Sequence, residues 1–107
     1  DPACNPYLAF AALLHAGLEG IEQGYKLPAE MTTNLYRLSD EERVEQGVEA
    51  LPGSLGEAIE AFAASELLEK ALGEHIFPRY VELKRNEWDE YRTQVSQWEL
   101  DRYLKAL

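Results

Sequence analysis

The first regular segment of the chain is apolar around most of its circumference, and this limits the folds open to it. Asn5 followed by Pro6 reads as an N-cap with proline at the first helical position, where a missing N–H costs nothing. The helix predicted from Pro6 runs to about Gln23, and Gly24 suits its C-terminal cap. Along it Tyr7, Leu8, Phe10, Ala11, Leu13, Leu14, Leu18 and Ile21 leave little polar face near the start. A helix of that kind needs burial on several sides. A chain of 107 residues has a large surface for its volume and can hardly supply it. The expectation is a larger body around this helix, and the absence of an initiator Met points the same way. No leader peptide is expected, since the chain opens on Asp1-Pro2 with no basic stretch.

The rest of the chain is predicted to be helical as well. Lys26 to Leu38 is irregular, with Pro28, Thr32, Thr33 and Asn34, and loops of this length are often functional or interfacial. Ser39 with Glu42 makes a capping box that opens a short helix ending near Gly47. Leu51-Pro52-Gly53 is a turn, and Ser54 with Glu57 is a second capping box, opening a helix with Ala58, Ile59 and Phe62. Ser65 starts a short helix through Leu72 that Gly73 ends. The longest helix follows, about Glu74 to Tyr91, with Ile76, Phe77, Tyr80, Val81, the Lys84 stem, Trp88 and Tyr91 at a period near 3.6. Pro78 falls in its first turns, where proline is tolerated. Ser96 with Glu99 is a third capping box, opening a last helix with Trp98, Tyr103, Leu104 and Leu107. No strand longer than three residues is expected. The fold class is all-α, an irregular bundle of about five to six helices with one long loop. Residues 1–107 are read as one segment.

Composition removes several function classes. Twenty acidic against ten basic residues give a formal net charge of −10. Nucleic-acid binding draws on Lys and Arg, so no nucleic-acid partner is expected. Anionic membrane surfaces are disfavoured for the same reason, and no apolar run reaches the roughly 18–20 residues that span a bilayer. Cys4 is the only cysteine, which excludes an internal disulfide and a multi-cysteine zinc site, and fits a reducing cytosol.

Candidate chemistry is sparse. His15 is expected to be buried or interfacial in the first helix, and His75 to be exposed at a helix start. No metal-binding spacing joins them. Cys4 precedes a helix N-terminus, where a thiol can be activated, but no nearby histidine accompanies it. The acidic run Asp40-Glu41-Glu42 favours the positive end of its helix. Glu87, Asp89 and Glu90 match no calcium-loop spacing. From the residues alone no catalytic or metal-binding residue is assigned.

Longer strings say more. Asp1-Pro2-Ala3-Cys4-Asn5-Pro6-Tyr7-Leu8, continued by Ala9 to Leu14 and Gly17 to Ile21, resembles the segment that leaves the last active-site strand of class I glutamine synthetases. Asn34-Leu35-Tyr36, Leu51 to Ala58, Tyr80 with Glu82, Lys84 and Glu87, Trp88 to Val95, and Trp98-Glu99 with Arg102-Tyr103 resemble later parts of that family, in family order. The resemblance implies the C-terminal helical part of a larger α+β catalytic domain. It implies a cytoplasmic ligase joining ammonia to glutamate through γ-glutamyl phosphate, using ATP and Mg or Mn. No cofactor contact is expected in this segment, because the family's metal-holding carboxylates lie upstream of the string at Asp1. The same pattern is kept by relatives that ligate glutamate to a larger amine such as a polyamine. A stand-alone helical interaction module is the reading from outside the enzyme class.

The resemblance also implies site residues. Tyr36 matches a tyrosine adenylylated in some bacterial members, but Arg37 stands where those members carry an acidic residue, and Tyr91 to Val95 looks like the unmodified subgroup. A loop tyrosine packed on a neighbour is the preferred reading. Glu87 matches a glutamate that takes part in feedback inhibition by glutamine, and Arg92 could anchor the same region; the bland alternative for Glu87 is a solvated helix carboxylate. Trp98, Tyr103, Leu104 and Leu107 would be anchors of a dodecamer, or could pack within their own subunit. The implied partners are the rest of the synthetase chain and further copies of it.

Overall fold

The computed structural model describes residues 3–106; Leu107 and the Asp1-Pro2 end of the opening string lie outside the described residues. Five helices follow one another: α1 (Pro6–Gln23), α2 (Asp40–Glu45), α3 (Leu55–Ala63), α4 (Glu66–Tyr91) and α5 (Gln97–Tyr103). Single 3-10 turns sit at Leu35–Arg37 and Leu104–Ala106. No strand occurs among the described residues, so the all-α expectation holds.

Local chemistry sets the helix ends. The Asn5 side chain accepts from the backbone N–H groups of Tyr7 and Leu8, and Gly24 closes α1 in the left-handed region at φ 65°. An L-residue pays for that conformation and glycine does not. Ser39 and Ser96 each close a reciprocal capping box, with Glu42 and Glu99. The box expected at Ser54 is half made. Ser54 accepts from the Glu57 N–H, but the Glu57 carboxylate takes the N–H of Gly53, 2.8 Å away, instead of that of Ser54. The turn at Leu51-Pro52-Gly53 brings that earlier donor within reach.

α4 consists of two helical stretches that abut at a kink at Gly73, which has φ 75° and ψ 167°. The two predicted helices are therefore present, joined without a loop at the predicted glycine. This break also explains Pro78, which falls near the start of the second stretch and so removes little of the helical ladder.

α3 and α1 both pack on α4. Only Ile59, Leu72 and Val81 are buried among the described residues, all on α3 and α4. The radius of gyration is 18.6 Å, against about 13 Å for a compact domain of about 100 residues. α1 uses one face, with Leu8, Ala9 and Ala12 toward Phe62, Leu72 and Tyr80. Its other face, with Tyr7, Phe10, Leu14, Leu18 and Ile21, is open to solvent. The large apolar girth read from the sequence is thus real and mostly unspent.

One close approach locks α3 to α4. The Trp88 indole lies against Gly56 in the first turn of α3, where an added Cβ would stand 2.8 Å from Cε2 and Nε1. Replacing Gly56 with alanine gains helix propensity of about 1 kcal/mol. It also forces Trp88 out of its place, and overpacking of this kind costs about 1–3 kcal/mol. The expected net result is a lower Tm together with a red-shifted Trp emission. An unchanged Tm with unchanged emission would mean the indole moves aside freely.

Candidate functional site

The second stretch of α4 carries the charged residues singled out in the sequence. Glu87 is not joined to Arg92. Arg92 Nε donates to Asp89 Oδ1 at 2.8 Å, and Glu87 Oε2 instead accepts from Lys84 Nζ at 2.6 Å. Each of the two carries its own i,i+3 partner within one helix turn. Lys84 is the residue that sequence reasoning passed over, having counted only its stem. Its spacing from Glu87 was the available signal.

Lys84 is also the better held of the two. Its side chain is 29% exposed against 53% for Glu87. Its ammonium stands 5.8 Å from the centroid of the Tyr80 ring, within cation–π range. With Leu55, Ile59, Phe62 and Val81, the pair lines a hollow between α3 and α4 whose wall also includes Ala3 and Cys4. The hydrogen bond to Glu87 raises the Lys84 pKa above its ordinary value of 10.5, partial burial works the other way, and the Glu87 charge adds to the rise. A raised lysine pKa contributes stability below the unfolded value and loses it as pH rises through the folded value. The ammonium side of the pair is therefore charged at neutral pH and is discharged only above the ordinary lysine range.

Other expected residues are scattered. Tyr36 lies in the 3-10 turn after Asn34, whose side chain accepts from its N–H, and is fully exposed. The packing expected of it is not supplied by the described residues of this chain. Of the two readings of His15, buried or interfacial, burial is not met: it is exposed beside Glu19, Glu22 and Lys70 at the edge of the contact between α1 and α4. His75 is exposed as expected. Cys4 is exposed and free, its Sγ 3.7 Å from the Asn5 carbonyl oxygen. Asp40, Glu41 and Glu42 occupy the first turn of α2, with Asp40 paired to Arg43. Among the described residues no group of three or more His, Cys, Asp or Glu side chains is placed to hold a metal ion, and no helix is long and apolar enough to cross a membrane.

α5 packs chiefly on the 3-10 turn that follows it. Trp98 meets Tyr103 edge-on, with centroids 6.0 Å apart, and Arg102 lies over the indole at 5.4 Å. Trp98, Tyr103 and Leu104 nevertheless stay more than half exposed. The helix depends on its cap. Glu99 Oε2 accepts from the Ser96 N–H and hydroxyl, both at 2.7 Å, and the backbone bond foremost holds the carboxyl below its ordinary value of 4.5. A depressed carboxyl pKa gives stability above the unfolded value and loses it as pH falls through the folded one. Helical chemical shifts over 97–103 are expected to hold at pH 7 and to collapse on acidification below the ordinary carboxylate range. In Glu99→Gln that pH dependence should vanish; if it persists, another group controls the cap.

Three comparisons bear on this arrangement. A family model described as glutamine synthetase, catalytic domain, matches residues 1–103. Glutamine synthetase from Methanosarcina mazei is 50% identical over 107 residues, covering 100% of this chain and 24% of that protein. The one from Methanocaldococcus jannaschii is 46% identical over 104 residues, covering 97% and 23%. A solved structure described as a GmaS/ADP complex superimposes with a TM-score of 0.83 at 35% identity, over 98% of this chain and 23% of that one. The chain spans about a quarter of the length of the curated relatives it matches.

Proposed function

The chain belongs to the glutamine synthetase catalytic-domain family, and on that premise we propose that it is the C-terminal helical quarter of an ATP-dependent glutamate–ammonia ligase. The observation that carries this reading is identity of about half to glutamine synthetases over essentially the whole chain. In the reaction glutamate is activated as γ-glutamyl phosphate and ammonia displaces the phosphate. ATP and Mg or Mn are taken by the longer protein. No carboxylate set that would suit a divalent metal lies among the described residues, so no step of the reaction is routed through them.

In this reading the segment gives support, regulation and assembly. The open faces of α1 bury against the rest of the catalytic domain, which accounts for only three buried residues among those described and for an extended outline. Glu87 holds the amine of glutamine as a feedback inhibitor, since a solvent-facing carboxylate on a fixed helix suits an ammonium group. Tyr36, followed by Arg37, is an unmodified tyrosine. Trp98, Tyr103 and Leu104 dock into another copy in a dodecamer, where partly exposed aromatics become anchors. The site of action is the cytoplasm.

Ligation to a larger amine is the alternative within the family. A stand-alone helical module fits poorly with so small a core.

The test has two arms. The natural gene product is expected to have a mass several times the 12.2 kDa of this chain and to form glutamine from glutamate, ammonia and ATP. Residues 1–107 alone are expected to form none, because phosphoryl transfer relies on positioned charges found elsewhere. ATP-dependent glutamine formation by the isolated segment would overturn the division of labour. A gene product that strongly prefers a polyamine over ammonia would establish the alternative.

A further inference from the structure

The hollow between α3 and α4 is a trough that the chain itself points into. Leu55, Ala58, Ile59, Phe62 and Val81 give it an apolar floor, and its volume of about 350 Å³ is open along one side. A site for a small molecule encloses about 70–90% or more of the ligand surface, which an open trough does not do. A stretch of polypeptide laid along the trough fits it better. Leu55 and Phe62 stand seven residues apart on α3, and at 1.5 Å per residue the trough is about 10 Å long. Leu55, Ala58 and Phe62 are only half-buried, so a cover would take their remaining apolar area out of water.

The path into α1 shows which stretch is at hand. Ala3 lines the hollow and not the seam between α1 and α4. Asn5, Leu8 and Ala9 line the seam and not the hollow, and Cys4 lines both. Followed backwards from α1, the chain leaves the seam and passes onto the wall of the hollow. Asp1, Pro2 and three further residues upstream would reach up to about 17 Å from Ala3, more than the length of the trough. The open face of α1, with Tyr7, Phe10 and Leu14, is a separate surface.

We propose that in the longer protein the residues immediately upstream of Asp1 lie extended in this hollow and turn apolar surface toward Ile59 and Phe62. This rests on the reading of the chain as a C-terminal quarter, which is the share of its relatives that it spans.

The experiment uses the full-length protein in a Cys4→Ser background, so that the native thiol beside the hollow cannot compete. Ala58→Cys is combined in turn with cysteine at each of the five positions upstream of Asp1. A disulfide needs Cα atoms within about 7 Å, so mild oxidation followed by peptide mass mapping reads proximity. Intrachain disulfides are expected at alternate positions, because extended backbone turns every second side chain to one face. Without a partner cysteine, the thiol of Ala58→Cys should react with a maleimide about 10-fold or more slowly in the native protein than after denaturation. Leu55→Cys serves if the Ala58→Cys protein does not assemble. Fast labelling of the native protein would mean an open hollow and overturn the proposal. Slow labelling with none of the five disulfides would give the hollow to another part of the chain, and a disulfide between chains would give it to a second copy. Either result overturns the proposal and leaves the C-terminal-quarter reading standing. A natural gene product with a mass near 12.2 kDa would instead remove that reading, and the inference would fall with it.

Discussion

Alanine at Phe62 is expected to melt most of the helical signal of the isolated chain near room temperature. Phe62 stacks on Phe77 with centroids 5.5 Å apart and meets Tyr80 at 5.2 Å. It lines both the hollow between α3 and α4 and the seam where α1 meets α4, so one side chain joins three helices. Removing a packed Phe costs about 3–5 kcal/mol. Partial exposure of Phe62 lowers that figure, and its two ring contacts, at about 0.5–1.5 kcal/mol each, raise it again. A loss of about 3 kcal/mol is a large share of the 5–15 kcal/mol typical of stable domains. This chain, with three buried residues among those described, sits low on that scale. Thermal circular dichroism should show Tm falling by about 12 °C or more. Leucine at the same position should lose less, about 1.5 kcal/mol or under, because it keeps most of the volume. A Phe62→Ala variant within a few degrees of the parent would place the link between α1, α3 and α4 elsewhere.

Helix ends were legible because their signals are local. Asn5-Pro6, Gly24, Ser39 with Glu42, and Ser96 with Glu99 each decide a boundary within four residues, and each appears where the sequence puts it. Gly73 was legible as a break, and its positive φ, open to glycine, lets one helix end and the next begin at a single residue without a loop. Partners chosen among near-equals were not legible. Glu57 had two backbone donors within reach, and the turn before α3 decided for Gly53. Glu87 pairs with Lys84, three residues back on the same helix face, and Arg92 pairs with Asp89 at the same spacing. The excess of apolar surface on α1 was also legible, but not its division between packed and open faces. That division depends on α4, and His15 fell on the exposed side for the same reason. The family was readable from the ordered short strings. The metal and nucleotide chemistry was not, because no metal-ligand or phosphate-binding spacing occurs in the sequence.

The open face of α1 leads to a prediction whose size depends on context. Leu14 and Ile21 lie two helical turns apart on that face, 63% and 79% exposed. In the isolated chain, Leu14→Lys with Ile21→Lys removes apolar surface from water and places two cations on a protein of net charge −10. Surface changes of this kind shift stability by about 0.5 kcal/mol or less. Ile21→Lys also places a cation in the last turn of α1, where the helix dipole favours it. The parent chain is expected to self-associate at micromolar concentration through its exposed apolar patch, and the double variant to be more nearly monomeric by analytical ultracentrifugation. On the proposed reading of α1 as a helix enclosed by the longer protein, the same positions would face the remainder of the catalytic domain. There an unpaired buried charge costs about 3–5 kcal/mol at each site, and the variant should fail to assemble or lose its activity. Opposite outcomes from one pair of substitutions would identify α1 as an internal helix of the longer protein. Full-length enzyme that tolerates both lysines would mean that this face is solvent-exposed there too, and that its apolar residues serve a different contact.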